Sequence, residues 1–300
     1  MTKPSKTPAA EFEISLDLVA RLIASQHPDL SPLALTFEAS GWDNVMYRLG
    51  DQLAVRLPRR TLGAQFIQSE QTWLPTLATR LPLLTPAPVR QGVPDLGYPW
   101  TWSIVPWLEG RTADLDPPDA EQGAVLAAFF RALHHPAPPD APSNPMRGVP
   151  LASRREMFNT QLNFLRSRTD LINDRAMAIW EAGVAAPMDL QGLWIHGDPH
   201  PRNVLVRDGR LAAFIDWGDM ARGDPATDLS AVWMLLEDPT ARRAAMEAYG
   251  ASTATWARAR GWAMYYVVVL LAAGLADDPR MTRIAEKTLA RLLSPPESGL

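Results

Sequence analysis

The chain has 300 residues, of which 47% are hydrophobic and 21% are charged, a composition typical of a folded globular chain and not of a disordered one. Its formal net charge of −4 gives no electrostatic basis for binding nucleic acid or an anionic membrane surface, and no obligate protein partner is evident. Without cysteine, the chain has no disulfide, cysteine metal site or thiol nucleophile.

The first third of the chain predicts a small antiparallel sheet with helices packed on it. The polar start, MTKPSKTPAA, does not resemble a signal peptide, and residues 13–25 place apolar side chains at helical spacing. The runs LALTFEA, VMYRLG and LAVRLP, separated by SGWDN and GDQ, predict consecutive antiparallel strands. A helix is predicted over residues 61–81, and proline-rich turns then flank a strand centred on TWSIV.

The remainder of the chain predicts mainly helix. Helical patterns cover residues 120–134, 153–186 and 228 to the C terminus, while only WIHGD, NVLV and LAAFID predict short strands. A loop with six prolines connects the first two helical segments and is expected to be stiff and non-helical. The apolar run 262–276 is shorter than the roughly 18–20 residues that cross a bilayer, so we expect a buried helix and a cytoplasmic protein without a membrane partner.

The change from strand patterns in the first third to helical patterns in the remainder predicts an α+β protein with two lobes and a cleft between them. The expected N-terminal lobe covers residues 1–105, residues 106–110 form a hinge, and a mostly helical C-terminal lobe covers residues 111–300.

The segment WIHGDPHPRNVLVRDGRLAAFIDWGD, residues 194–219, contains the residue types that phosphoryl transfer requires. It contains HGD, which ends at Asp198, then Asn203, and then DWG, which begins at Asp216. A carboxylate can accept the proton of an attacking hydroxyl, and amide and carboxylate oxygens can hold magnesium against a triphosphate. The strands NVLV and LAAFID, joined by an Asp-Gly turn, predict a hairpin that brings Asp216 back beside Asn203.

This stretch resembles the catalytic and metal-binding loops of the aminoglycoside phosphotransferase family of small-molecule kinases. The resemblance implies a two-lobed, protein-kinase-like fold and transfer of the γ-phosphoryl group of ATP to a hydroxyl, with GTP left open as the nucleotide. It implies that Asp198 is the catalytic base and that Asn203 and Asp216 bind Mg²⁺. The family typically has Gly before the Asn; Arg202 stands there in this chain and would either contact phosphate or face solvent.

Other positions match the nucleotide site of the same template. The turn expected to cover the phosphates contains Ser40, Gly41 and Asn44, and the chain has neither G-x-G-x-x-G nor a Walker A motif. Arg56 occupies the place where most aminoglycoside kinases have a phosphate-binding Lys, and related macrolide kinases also show Arg in a similar RxPRR context. Glu70, on the following helix, is expected to hold Arg56.

The connector between the predicted lobes is expected to bind the adenine. Counting along IVPWLEG, the backbone carbonyl of Pro106 and the backbone N–H of Leu108 would contact the base. Proline is tolerable at the first position because it lacks only a donor that the site does not use. Trp107 would pack, stack on the base, or do both.

Only eleven residues separate Asp216 from Asp228, which leaves no room for the activation segment of a protein kinase. We therefore expect a small hydroxylated acceptor, an antibiotic or antibiotic-like alcohol. From Leu229 onward the sequence contains seven acidic and eight basic residues, so this part of the chain is nearly neutral. A neutral or weakly cationic acceptor is therefore at least as plausible as a polycation.

Asp224 and Asp228 are expected to stabilise the loop and the start of a helix. The alternatives are a metabolic kinase of choline, homoserine or a sugar derivative, and a catalytically silent nucleotide-binding protein.

Overall fold

The computed structural model describes residues 8–294; the first seven and last six residues, which the predicted lobes include, lie outside the described residues. The chain divides into two compact units. The first unit contains the residues up to 79 together with 84–108, and the second contains 80–83 together with the residues from 109 onward.

The first unit is built on an antiparallel sheet with the strand order β1-β2-β3-β5-β4. Its strands are β1 (Leu35–Ser40), β2 (Asn44–Leu49), β3 (Leu53–Pro58), β4 (Arg90–Gly92) and β5 (Trp102–Pro106). The four strands predicted from alternating hydrophobicity are confirmed. The sequence did not predict β4 because three residues are too few to show an alternating pattern.

Two helices accompany this sheet, α1 (Leu16–Gln26) and α2 (Thr61–Ala78). The Ser15 side chain caps α1 by accepting a hydrogen bond from the Leu18 N–H at 3.2 Å. The apolar face of α1 packs on β2, β3 and β5, and each large side chain buried there stabilises the fold by about 1.5–3 kcal/mol. The core comprises Leu18, Val19, Leu22, Ile23, Val45, Tyr47, Leu49, Val55, Leu57, Tyr98, Trp102 and Ile104.

The second unit contains two small antiparallel sheets, with the strand orders β6-β8-β9 and β10-β7. The strands are β6 (Arg111–Thr112), β7 (Leu193–Ile195), β8 (Val204–Arg207), β9 (Arg210–Phe214) and β10 (Ala221–Gly223). The predicted hairpin of β8 and β9 is confirmed. Asp208 and Gly209 have φ values of 53° and 71°, as a two-residue turn between right-twisted strands requires.

Eight α-helices make up about half of the described residues of the second unit. They are α3 (Gly123–Leu133), α4 (Arg155–Arg166), α5 (Asp174–Ala185), α6 (Ala226–Leu229), α7 (Ala231–Leu235), α8 (Pro239–Tyr249), α9 (Thr253–Asp277) and α10 (Pro279–Leu293). The segment predicted as helical over 153–186 forms two helices, because Asn173 starts α5 anew by capping the Ala176 N–H at 3.1 Å.

The long helix α9 lies at the centre of the second unit, where it packs against α4, α5, α6 and α10. Its 24 residues from Thr253 to Ala276 have the length and mean hydropathy, 1.5, of a membrane-spanning helix. However, 72% of its most apolar window is buried inside the protein, as in the core helix of a globular protein. On α7 and α9 five aromatic side chains are buried, those of Trp233, Trp256, Trp262, Tyr265 and Tyr266.

Candidate active site

The loop between β1 and β2, together with the strand residues that flank it, contains three of the predicted nucleotide-binding residues. The Gly41 N–H donates to the Asn44 carbonyl at 2.8 Å, which closes the loop. Arg59 Nη1 donates to Ser40 Oγ at 2.8 Å and to the Gly41 carbonyl at 3.1 Å. The structure thus places a cation, Arg59, against this loop, a residue that sequence reasoning had not singled out.

Arg56 and Glu70 form a buried ion pair in the first unit. Arg56 lies in β3 opposite Ser103, and its Nη1 donates to Glu70 Oε2 of α2 at 2.5 Å. The Glu70 side chain is fully buried, and that of Arg56 is 11% exposed. Because an unpaired buried charge is costly, this contact holds the guanidinium in a defined place.

The last residue of β5, Pro106, and Leu108 in the segment after it are the two residues predicted to bind adenine. The strand ends at Pro106, and the Trp107 N–H donates to the Gln52 carbonyl at 2.7 Å. The Arg48 guanidinium lies 3.9 Å from the centre of the Trp107 ring, so packing by a cation covers one face of this ring. Among residues 8–294, none accepts a hydrogen bond from the Leu108 N–H.

In the second unit, residues 196–203 form a loop after β7 that Asp228 of α6 anchors. The fully buried Asp228 carboxylate accepts hydrogen bonds from the backbone N–H groups of His196, at 2.6 Å, and Gly197, at 2.8 Å. Gly197 has a φ of 86°, and a Cβ atom there would collide with the backbone of Asp219. Both features fix the path of the chain that leads to Asp198.

The His196 ring links this loop to the end of β9. Its Nδ1 accepts a hydrogen bond from the Asp198 N–H at 3.2 Å, so the ring proton is on Nε2, which donates to the Ile215 carbonyl at 3.0 Å. On the other side of the loop, His134 Nε2 lies 3.1 Å from Asp228 Oδ2. Both histidines therefore have structural hydrogen bonds.

The Asp198 carboxylate has three polar neighbours. Its Oδ2 accepts a hydrogen bond from Asn203 Nδ2 at 3.1 Å and lies 3.3 Å from His200 Nε2, while its Oδ1 lies 3.3 Å from Arg147 Nη2. Burial acts to raise the pKa of Asp198, but His200 and Arg147 outweigh burial and hold this pKa below its usual range. The group is therefore ionised at neutral pH, as a proton acceptor must be.

Asn203 lies beside the residue that precedes Asp216, and both side chains carry oxygen atoms of the kind that magnesium binds. Because Asn203 Nδ2 donates to Asp198, its Oδ1 faces away from that carboxylate, and the Ile215 N–H donates to the Asn203 carbonyl at 2.9 Å. The next residue, Asp216, is exposed, has a φ of 60°, and its carboxylate has no hydrogen bond or ion pair with a described residue. Magnesium often takes few protein oxygens and completes its shell with phosphate and water, so these residues fit the ion.

Arg202 has a partner that neither sequence-based alternative included. Its Nη1 donates to Asp278 Oδ2 at 2.8 Å, and Asp278 Oδ1 caps α10 by accepting from the Arg280 N–H at 3.0 Å. Arg202 therefore ties the loop before Asn203 to the start of α10.

Sequence reasoning did not single out Arg147 and His200, which contact Asp198, or Asp219, which lies 3.5 Å from Arg147 Nε. Arg147 lies 51 positions before Asp198 in an irregular loop, and no local pattern pointed to it. A signal was available for His200 and Asp219, because both lie inside the segment 194–219.

Comparison with known proteins assigns the chain to a family. A model described as the phosphotransferase enzyme family, APH, matches residues 35–262, most of the chain. No curated protein sequence matches the chain.

Solved structures share the fold over nearly their whole length. The GDP complex of wild-type aminoglycoside 2'-phosphotransferase-IIIa is 18% identical, with a TM-score of 0.59 over 91% of this chain and 97% of that chain. Macrolide 2'-phosphotransferase MphH from Brachybacterium faecium is 22% identical, with a TM-score of 0.58 over 94% and 98%. The streptomycin-ATP-APH(2")-IIa ternary complex is 18% identical, with a TM-score of 0.56 over 95% and 98%.

These similarities confirm the predicted α+β, kinase-like fold, with an antiparallel sheet in the N-terminal region and a helical C-terminal part. The chain belongs to the phosphotransferase enzyme family and is a phosphotransferase that acts on hydroxyl groups.

Proposed function

We propose that the protein transfers the γ-phosphoryl group of ATP to a hydroxyl group of a small molecule, with Asp198 as the catalytic base. The observation that carries the proposal is the arrangement of three residues. The ionised Asp198 carboxylate accepts a hydrogen bond from the Asn203 side-chain amide. The Ile215 N–H donates to the Asn203 carbonyl, and Asp216 is the residue after Ile215. A catalytically silent nucleotide-binding protein has no need for all three.

The chemistry follows from these groups. The acceptor oxygen attacks the γ-phosphorus, its proton passes to the Asp198 carboxylate, and the bond from the γ-phosphorus to the bridging oxygen of ADP breaks. Asn203 Oδ1 and the Asp216 carboxylate would hold Mg²⁺, which, when bound, neutralises charge on the triphosphate.

The first unit supplies the nucleotide contacts in this proposal. Arg56 bridges the α- and β-phosphates with the planar fork of its guanidinium, which Glu70 holds in place. The Pro106 carbonyl and the Leu108 N–H bind the adenine edge. The proposed nucleotide-binding residues are Ser40, Gly41, Asn44, Arg56, Glu70, Pro106 and Leu108.

The comparisons support a small-molecule acceptor and leave two nucleotides to test. Solved structures of similar fold hold GDP with kanamycin, ADP, or ATP with streptomycin, and others are macrolide phosphotransferases. An antibiotic or antibiotic-like alcohol is therefore the first acceptor class that we propose. Choline, homoserine and sugar derivatives form the second class.

Acceptor-dependent ADP release in the presence of Mg²⁺ tests the function. Antibiotics and metabolic alcohols are screened with ATP and, in parallel, with GTP. For the best acceptor, we expect Asp198→Asn to lower the rate about 10²–10⁴-fold while Mg·ATP binding is retained, because the amide keeps the shape but cannot take the proton. Near-native turnover by this variant would overturn the role of Asp198. Mg·ATP binding without release on any acceptor would favour the silent nucleotide-binding protein.

A further inference from the structure

The proline-rich loop over residues 135–150 has a fixed place beside the proposed catalytic residues. Its Gly148 N–H donates to Thr227 Oγ1 at 3.1 Å, and the Gly148 carbonyl accepts from the Asp224 N–H at 2.8 Å. Gly148 has a φ of 65°, and a Cβ atom there would lie 2.8 Å from the Gly223 Cα atom. Only glycine permits this approach, so the residue before Gly148 is held at a defined position.

That residue is Arg147, which lies against two carboxylates. Its Nη2 is 3.3 Å from Asp198 Oδ1 and its Nε is 3.5 Å from Asp219 Oδ2, with the guanidinium 5.2 Å from the centre of the Tyr266 ring. Asn144 Oδ1 accepts from the Arg147 N–H at 3.1 Å and fixes its backbone. Burial acts to lower the pKa of Arg147, but Tyr266 and the two carboxylates raise it above its usual value.

The hydrogen bonds of Asp198 show which of its oxygens can receive a substrate hydroxyl. His200 Nδ1 accepts from the Arg202 N–H at 3.2 Å, so its Nε2 carries the proton and faces Asp198 Oδ2, which Asn203 also contacts. Each carboxylate oxygen can accept about two hydrogen bonds. Oδ2 already has two donors, His200 and Asn203, whereas Oδ1 has one, Arg147, and can accept a second. The reacting hydroxyl is thus expected at Oδ1, next to the guanidinium.

We propose that Arg147 is a specificity-determining residue that binds an oxygen of the acceptor beside the reacting hydroxyl and disfavours polycationic acceptors. This inference rests on the proposed function, in which Asp198 is the base. Arg147 Nη1 makes no hydrogen bond with a described residue and is left for such an oxygen. Without the guanidinium, Asp198 and Asp219 would present uncompensated negative charge, which attracts ammonium groups.

The test compares kcat/KM for kanamycin, a polycation, with kcat/KM for erythromycin or for the best acceptor with at most one charge that the screen finds. In Arg147→Gln, we expect the ratio of kanamycin to the second acceptor to rise at least about tenfold, because a like charge is removed. Arg147→Lys should keep the wild-type ratio. Arg155→Gln is the matched control, since Arg155 pairs with Glu181 at 2.8 Å on the exposed surface of the same unit.

An unchanged ratio in Arg147→Gln overturns the inference, as does a wild-type protein that prefers kanamycin. An equal loss on both acceptors would show that Arg147 acts only through structure. Arg147→Met, which keeps an apolar stem, replaces Arg147→Gln if that variant does not fold, as judged by melting temperature and Mg·ATP binding. Failure of the proposed function is distinct, because no acceptor would then stimulate ADP release in the wild type.

Discussion

At the scale of single residues, the two proposed magnesium ligands differ in charge and in surroundings. Asp216 supplies a full negative charge, whereas Asn203 supplies a dipole and also holds Asp198 through its Nδ2 at 3.1 Å. We therefore expect Asp216→Ala to weaken magnesium-dependent nucleotide binding far more than Asn203→Ala, which should mainly lower kcat. Nucleotide titrations with and without Mg²⁺ measure the difference, and equal losses in the two variants would contradict it.

A second residue-scale prediction concerns the buried pair of Arg56 and Glu70. If Arg56 bridges the phosphates, Arg56→Ala should raise the KM for ATP and lower kcat, and Arg56→Lys should recover only part of the loss, because an ammonium lacks the planar fork. Glu70→Gln should act in the same direction. The double variant should be less than additive, because both changes break one 2.5 Å contact.

Steady-state ATP kinetics on the wild type, Arg56→Ala, Glu70→Gln and the double variant test whether Arg56 bridges the phosphates. Arg90→Ala is the control, since Arg90 and Asp29 form an exposed pair at 3.8 Å in the same unit, and such pairs contribute about 0–1 kcal/mol. Additive effects, or unchanged ATP kinetics, would refute the phosphate-bridge role of Arg56. Melting temperatures separate this outcome from general destabilisation, which breaking a buried pair also causes.

At the scale of elements, α6 positions the loop that contains Asp198 through Asp228. The Asp228 carboxylate accepts the N–H groups of His196 and Gly197, and an Asn side chain there has only one acceptor oxygen for these two donors. Asp228→Asn should therefore destabilise the protein by about 1–3 kcal/mol, the cost of an unsatisfied buried group. It should also lower kcat more than it raises the KM for ATP.

The chain offers a matched control for this change. Asp238, at the start of α8, likewise accepts two backbone N–H groups, from Thr240 at 2.6 Å and Ala241 at 3.2 Å, but it is exposed and caps a different helix. Because Asn is also a favoured cap residue, Asp238→Asn should change stability little and leave kcat unchanged. If the two variants had the same effect on kcat, the positioning role of Asp228 would be lost.

The elements also mark the limit of what the sequence predicts. Local signals sufficed for α1, for the strands β1 to β3 and for the hairpin of β8 and β9, where alternation and an Asp-Gly turn agree. They could not predict β6 or β10, whose two and three residues gain their structure from pairing with β8 and β7. Such short strands depend on tertiary contacts.

The residues of the candidate site likewise fall into those that a local sequence pattern predicts and those that only the fold brings together. Asp198, Asn203 and Asp216 were predicted as a group because their order and spacing lie within one segment of the chain. Arg147 and the link from Arg202 to Asp278 join positions 51 and 76 residues apart, and only the folded chain brings them together. Sequence therefore predicted the groups proposed to carry out the chemistry, whereas their electrostatic surroundings required the structure.

At the scale of the whole molecule, we expect a network around Asp189 to make the free energy of unfolding depend on pH. The Asp189 carboxylate accepts hydrogen bonds from Ser252 and from Thr255, the latter at 2.8 Å, and pairs with Arg258 at 2.8 Å. Arg258 in turn holds the buried Asp224 at 2.7 Å, so the network joins α9 to the chain before α6. Burial acts to raise the pKa of Asp189, but these partners outweigh it and lower this pKa.

The direction of the pH dependence follows from that lowered pKa. An aspartate in an unfolded chain titrates near about 3.9, so the contribution of Asp189 is present above this pH and is lost as the pH falls toward the lower folded value. Asp189→Asn should therefore lower the melting temperature at pH 7, and its difference from the wild type should shrink between about pH 5 and pH 3. Calorimetry across this range measures the difference.

Asp140→Asn is the control, because Asp140 is an exposed aspartate without a described partner, and this variant should match the wild type at every pH. A difference between Asp189→Asn and the wild type that stayed constant with pH would show that the network stabilises the protein without being linked to protonation of Asp189.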